Sequence, residues 1–311
     1  MFGNKSTLSL FRIAGIEVSL HYSWFIIAFI EIEYRKRAYD YPLWNVLEYL
    51  ALFGIVLMHE FGHALACRQV GGRADRIVLW PLGGVAYVDP PQRPGAVLWS
   101  IAAGPLVNLI LVPVTFIIFH FARANEWQTS MHDIYIFLRA ITAINAGLLI
   151  FNLMPIFPLD GGQILRALLW FPLGRARSLQ VAAGIGFFGV AGLVVLAIFQ
   201  QSIWTGLIAA YAFGSCRTGW MSARALMKIE ALPRREGFAC PECHAKPPVG
   251  DIWNCPKCNT AFDTFLTGAK CPSCGEEFSA TRCVDCGKAS PMEEWRSAAE
   301  NRNPLETSRE S

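Results

Sequence analysis

A chain of 311 residues that is 53% hydrophobic and only 16% charged cannot hide all its apolar surface in one soluble core, which excludes a purely soluble globular protein and favours a membrane protein. The formal charge of +3 is small, and the Arg residues are spread over loops rather than gathered in a patch, so no nucleic-acid partner is expected. Apolar residues dominate up to about position 225, and the polar, Cys-rich stretch beyond it marks a domain boundary.

The opening MFGNKSTLSLFRIAGIEVSL lacks a long apolar run followed by a small-residue cleavage site and does not read as a removable signal peptide. A helix that crosses about 30 Å of hydrocarbon needs roughly 20 mostly apolar residues. Six stretches approach this, at 16–34, 44–69, 96–122, 134–157, 179–199 and 202–220, the first weakened by Glu31 and Glu33, which either lie at its outer end near the headgroups or make the segment tilted or only partly inserted. Between the second and third, DRIVLWPLGGVAYVDPPQRPG places β-favouring residues around Gly83–Gly84 ahead of a proline-rich stop, which predicts a short β-hairpin. The expected fold class is therefore an α-helical polytopic membrane protein with about six transmembrane helices and a short hairpin, followed by a small Cys-rich domain.

Lys and Arg in short loops favour the cytoplasmic side. With the N-terminus inside, those loops carry Arg68, Arg73, Arg76, Arg93, Arg166, Arg175 and Arg177, then Arg217, Arg224 and Lys228 after the last span. Arg35, Lys36, Arg37 and Arg123 fall on the outer side, yet the total places both termini in the cytoplasm. The domain reading is a membrane-embedded core at 1–228, a linker at 229–238, a Cys-rich module at 239–295 and a disordered tail at 296–311.

The second span ends IVLMHEFGHALACR, with His59-Glu60-Phe61-Gly62-His63 spelling His-Glu-x-x-His. Residues four apart share one helix face, so the two imidazoles can hold one zinc ion while Glu60 beside it acts as general base toward a metal-activated water. Such a pentapeptide arises by accident in other chains, but two His and a Glu inside an apolar span are costly unless they bind something or line a wet cavity. A hydrolytic zinc needs a third protein ligand, and Asp160 in FNLMPIFPLDGGQILRALL is the candidate. With residue 69 at the membrane edge, His59 lies roughly 15 Å deep. Asp160 reaches that depth if Pro155 and Pro158 break the helix and turn the chain inward.

With both motifs in view, the chain resembles the site-2 protease family of intramembrane zinc metalloproteases. The matching residues are HEFGH at 59–63, AAGPLVN at 102–108, and Asn152, Pro158, Asp160 and Gly161 in NLMPIFPLDGG, in consistent order over roughly residues 10–220. The resemblance implies His59, His63 and Asp160 as zinc ligands and Glu60 as catalytic base. It further implies Asn152 as a catalytic residue holding substrate or the developing oxyanion, the alternative being an interhelical hydrogen bond. Asn108 is weighed between the same two roles, Asn145 reads as structural, and His21 as an interfacial residue. The hairpin would be re-entrant, its edge near Val85 to Val88 adding an unwound substrate segment as a strand or else plugging the cavity. The layout is similar to the compact sporulation-type branch, but the C-terminal module is not that branch's usual nucleotide-binding pair of repeats, so its regulation is not carried over.

After the linker stand Cys240-x-x-Cys243, Cys255-x-x-Cys258, Cys271-x-x-Cys274 and Cys283-x-x-Cys286. Two CxxC turns complete one tetrahedral zinc site of four thiolates, so a double zinc ribbon with two structural zinc ions is expected. A disulfide framework would need an oxidising compartment, contrary to the cytoplasmic placement. Sequential pairing of the turns and nested pairing both remain open. Cys67 and Cys216 fall outside the pattern and read as buried thiols.

The expected function is hydrolysis of peptide bonds in transmembrane or membrane-proximal segments of membrane protein substrates. The alternatives are a membrane zinc transporter, which leaves Glu60 unexplained, and an inactive membrane scaffold with a zinc-ribbon interaction module, which leaves the His-Glu-His-Asp set unexplained. The expected cofactors are one catalytic and two structural Zn2+ ions. The expected partners are a membrane protein substrate, the lipid bilayer and a regulatory protein docked on the ribbons.

Overall fold

The computed structural model of the chain describes residues 7–35, 37–80 and 83–300. It divides into two compact units, one of residues 1–90, 94–174 and 178–220, the other of 91–93, 175–177 and 221–311.

The first unit opens with strands β1 (Thr7–Ile13) and β2 (Ile16–His21), an antiparallel hairpin. A short helix α1 (Ser23–Arg35) and a long helix α2 (Pro42–Gln69) follow, then strands β3 (Arg73–Trp80) and β4 (Gly83–Asp89). The four strands form one sheet in the order β1-β2-β3-β4, with β2 parallel to β3 and β3 antiparallel to β4. Ile16, Val18 and Leu20 of β2 and Ile77 and Leu79 of β3 alternate inward, as period-two side chains must, and pack with Trp24, Val56, Ala64 and Cys67. The hairpin expected around Gly83–Gly84 is present as β3 and β4, but as half of a larger sheet.

The span expected at 16–34 is corrected by this sheet. Residues 16–21 are a strand, and α1 has 13 residues, only about 20 Å of helix. A hydropathy average over 16–34 hides the alternation of Ile16, Val18 and Leu20 with Glu17 and Ser19, which is the period-two pattern of a strand.

Helices α3 (Pro94–Ala124), α4 (Trp127–Ser130), α5 (His132–Leu153), α6 (Asp160–Gln200) and α7 (Ile203–Glu230) follow, with residues 175–177 of α6 and the end of α7 from 221 falling in the second unit. Among the described residues, four helices are long and apolar enough to cross a membrane: α2, α3, α5 and α6. Gly174 interrupts α6 with φ 78° and ψ 175°, so its two halves are separate helical rods. The chain is thus a helical membrane protein with four candidate spans and an N-terminal sheet.

Helices α2 and α3 bury polar side chains among their apolar ones and expose large apolar side chains. The buried face of α2 holds Asn45, Glu48, His59, Glu60 and His63, while Leu43, Val46, Leu50, Met58 and Leu65 point outward. Likewise Ser100, Gly104 and Asn108 of α3 face inward, and Leu109, Ile110, Phe116 and Ile117 face outward. This distribution suits a hydrocarbon solvent, where apolar side chains cost nothing outside and polar groups must find partners within the bundle.

In the second unit, β5 (Trp253–Asn254) pairs with β6 (Ala261–Phe262) and β7 (Thr281–Arg282) with β8 (Ala289–Ser290), and helix α8 (Met292–Glu300) closes the described chain. Helix α7 runs to Glu230, and the Arg235 amide donates to the Pro247 carbonyl at 2.8 Å, so part of the expected 229–238 linker is engaged in structure. The tail expected from 296 begins within α8, where Trp295 is 1% exposed and anchors the helix; 301–311 lie outside the described residues.

Candidate active site and metal centres

The last turns of α2 present His59 and His63 on its buried face, 5% and 6% exposed. Asp160 comes from the junction of α5 and α6. Helix α5 ends at Leu153, residues 154–159 form a tight connection in which the Leu159 amide donates to the Ile156 carbonyl at 2.8 Å, and Asp160 opens α6. The connection contains Pro155 and Pro158, which cannot continue a helix, and the chain turns inward as the sequence led one to expect.

Three side chains from these elements converge. His59 Nε2 lies 3.1 Å from His63 Nε2 and 3.0 Å from Asp160 Oδ2, and His63 Nε2 lies 3.4 Å from Asp160 Oδ1. Behind the rings, His63 Nδ1 is 2.9 Å from the Ser100 carbonyl and His59 Nδ1 is 2.5 Å from Asn108 Oδ1. Both partners accept, so both Nδ1 atoms carry the proton and donate it. The two Nε2 lone pairs then face one another and a carboxylate, an arrangement that asks for a cation between them. Bonds of about 2.0–2.1 Å to a tetrahedral zinc put donors roughly 3.3 Å apart, which these separations match. The donor set fits zinc.

Glu60, 5% exposed, lies beside the cluster with Oε2 accepting a hydrogen bond from the Ala86 amide of β4 at 2.9 Å. Two glycines make the close approach possible. A Cβ on Gly104 would lie 2.2 Å from His63 Nε2, and one on Gly84 would lie 2.2 Å from Glu60 Cγ. A cavity of about 620 Å3 opens onto this cluster, walled mostly by apolar side chains, with Asn152 and Gln163 among its polar lining. Gly84, Ala86 and Val88 of β4 line it too, and β4 is the edge of its sheet.

The structure thus brings His59, Glu60, His63, Asp160 and Asn152 to one cavity. His21 stands apart, hydrogen-bonded to Ser23 at 2.5 Å. Sequence reasoning missed Ser100 and the two glycines and weighed Asn108 and Asn145 without seeing that they touch: Asn108 Nδ2 donates to Asn145 Oδ1 at 2.7 Å. The small-residue run AAGP at 102–105 was the available signal, since small residues let helices approach closely.

The Cys pairs resolve as nested. Cys240 and Cys243 group with Cys283 and Cys286, and Cys255 and Cys258 with Cys271 and Cys274. Sulfur atoms lie 3.7 Å apart across the outer group and 3.6 Å apart across the inner. These values are far above a disulfide bond and close to the roughly 3.8 Å edge of a tetrahedron with about 2.3 Å Zn–S bonds. All four turns share one geometry. The residue after the second Cys has positive φ in each (His244, Asn259, Gly275, Gly287), and its amide donates back to the first Cys carbonyl at 2.8–3.0 Å. Either group could hold zinc. Cys67 and Cys216 are fully buried thiols, as expected.

Comparison with known proteins points the same way. The model of peptidase family M50 matches residues 48–126 and 123–196. A zinc metalloprotease of Methanocaldococcus jannaschii is 32% identical over 209 residues, covering 67% of this chain and 58% of the relative. Stage IV sporulation protein FB of Bacillus subtilis is 32% identical over 164 residues, covering 50% and 53%. The chain therefore spans little more than half the length of these relatives. The solved structure of a site-2 protease from Methanocaldococcus jannaschii is 27% identical, covering 69% of this chain and 95% of that one, with a TM-score of 0.48.

Proposed function

The chain belongs to peptidase family M50, the site-2 type of zinc metalloprotease, and from that premise we propose that it hydrolyses peptide bonds in transmembrane or membrane-proximal segments of membrane proteins. One observation carries the reading: His59, His63 and Asp160 converge within an apolar cavity with the Glu60 carboxylate beside them. His59, His63 and Asp160 would hold the zinc. When bound, the metal supplies Lewis acidity, polarising the scissile carbonyl and lowering the pKa of water.

The residues of the chain do the rest. Glu60 takes a proton from the water that attacks the carbonyl carbon and returns it to the leaving amide nitrogen, so the C–N bond breaks with its proton supplied. The Ala86 amide holds one oxygen of that carboxylate, leaving the other for proton transfer. The Asn152 NH2 group is our candidate donor to the developing oxyanion. A helical substrate hides its carbonyls, so it must unwind first, and the open edge of β4 beside the cavity is where an extended segment would add as a strand. A transporter would have no use for a fixed carboxylate at this place.

The finer layout belongs to the same proposal. Helix α7, with 28 residues, would be a further crossing, whereas α1 reaches only partway. The Lys and Arg bias places both termini in the cytoplasm. Two structural zincs would occupy the four-Cys groups, and the ribbons would receive a regulatory protein. The deciding experiment replaces Glu60 with Gln. An amide cannot take the proton, so the variant should keep its membrane zinc and lose about 10²- to 10⁴-fold in cleavage of a model transmembrane substrate. Uncut substrates should then accumulate in the membrane proteome. Unchanged cleavage would remove Glu60 from the chemistry.

A further inference from the structure

We propose that Asn108 and Asn145 are positioning residues for the metal, two buried amides in series that hold His59 with its Nε2 bare toward His63 and Asp160. The inference rests on the zinc reading of that site. The chain of contacts crosses three helices: His59 of α2 donates from Nδ1 to Asn108 Oδ1 of α3 at 2.5 Å, and Asn108 Nδ2 donates to Asn145 Oδ1 of α5 at 2.7 Å. Both amides are 0% exposed.

The physical argument is one of polarity. An imidazole has one proton to place, and a metal can use Nε2 only when that proton sits on Nδ1. Asn108 supplies the acceptor there, but an amide has two unlike ends. Turning its oxygen to His59 forces its NH2 the other way, into an apolar bundle where an unpartnered donor is costly. Asn145 meets that NH2 by offering its oxygen at the required place. The NH2 of Asn145 makes no hydrogen bond among the described residues, so the unpartnered donor is moved one helix away from the His59 contact. Its service is specific: it is needed only because Asn108 has a donor end.

That last point separates positioning from helix–helix adhesion, since it predicts dependence of one residue on the identity of the other. A carboxylate at 108 has no donor end, so it accepts from His59 without help from Asn145. The test is competition for zinc between the full-length purified protein and a graded chelator. The membrane-site zinc is defined as the increment that His59→Ala loses, which leaves the ribbon zincs out of the reading. Asn108→Leu should weaken zinc binding about 10- to 100-fold, the usual cost of removing an outer partner of a ligating His. Asn145→Leu should weaken it about 5- to 20-fold, Asn108→Asp should stay within about threefold of the parent, and Asn108→Asp with Asn145→Leu should match Asn108→Asp alone.

If Asn145→Leu weakens zinc equally in the parent and in the Asn108→Asp protein, or not at all, Asn145 is only adhesive and the inference is overturned. If Asn145→Leu does not fold, the comparison of Asn108→Leu with Asn108→Asp decides, and equal zinc affinity in those two overturns the relay. A His59→Ala protein that loses no zinc would instead overturn the metal reading itself.

Discussion

At the scale of single residues, two hydrogens carry much of the site. Gly84 and Gly104 stand where any Cβ would collide with Glu60 and His63 respectively, each at 2.2 Å. These collisions have different chemical consequences, because one would displace the proposed base and the other a proposed zinc ligand. Gly104→Ala should lose the membrane zinc, since the new methyl occupies the space in which His63 Nε2 sits. Gly84→Ala should keep the zinc but lose turnover, since it pushes Glu60 from its place beside the Ala86 amide. Metal content and cleavage measured on both variants check the pair. Loss of zinc in the Gly84 variant would mean that Glu60 supports the ligand cluster rather than the proton transfer. The two imidazoles of α2 obey the same economy of space: each meets its polar partner on α3, His63 at the Ser100 carbonyl and His59 at the Asn108 amide.

At the scale of elements, the nested Cys pairing makes the two ribbons unequal. The inner cluster, Cys255, Phe262 and Cys271 with Trp253 and Phe278, is built wholly from residues 253–278. The outer cluster needs Phe265, which lies in the inner ribbon's own loop and packs on Trp295 at 4.9 Å and Phe238 at 5.1 Å between ring centroids. A module this small has too little core to fold without its metals, so loss of the inner site should unseat Phe265 and take the outer site with it. Cys271→Ser with Cys274→Ser should therefore release two zincs, whereas Cys283→Ser with Cys286→Ser should release one. Metal analysis of the purified variants reads this directly, and equal loss from both would mean that the ribbons are independent. Acid should release ribbon zinc too, because the ligands are thiolates. The Cys258 thiol, 3.2 Å from the Thr260 hydroxyl, is held down to about 6 by that residue's hydroxyl and amide. Zinc release followed with a chelating dye should therefore rise as the pH is lowered from neutrality.

At the scale of the whole molecule, the proposal separates chemistry from selection. A closed shell of four thiolates has no open position for water, so the ribbons can organise a binding surface but cannot hydrolyse. The Cys283→Ser, Cys286→Ser protein should still cut a minimal transmembrane substrate and lose preference for its natural one. Loss of both with the membrane zinc intact would make the ribbons part of the catalytic machine. What the sequence determined by itself was the candidate site: His59, Glu60 and His63 are neighbours on one helix by the 3.6-residue repeat, and the spacing of the Cys turns marks them as candidate ligands. Pro155 and Pro158 even announced the break that carries Asp160 inward. What only the tertiary structure decided was everything that depends on which distant elements meet. Residues 16–20, Ile-Glu-Val-Ser-Leu, alternate apolar and polar as a strand does, but that they lie between β1 and β3, the latter more than fifty residues later, was decided by the tertiary structure. The nested pairing of the Cys turns, the approach of Gly84 and Gly104, and the line from His59 through Asn108 to Asn145 have the same origin. Local periodicity reports which face of an element is buried, but the partner on that face is chosen by packing across the whole bundle, and no window of sequence contains it.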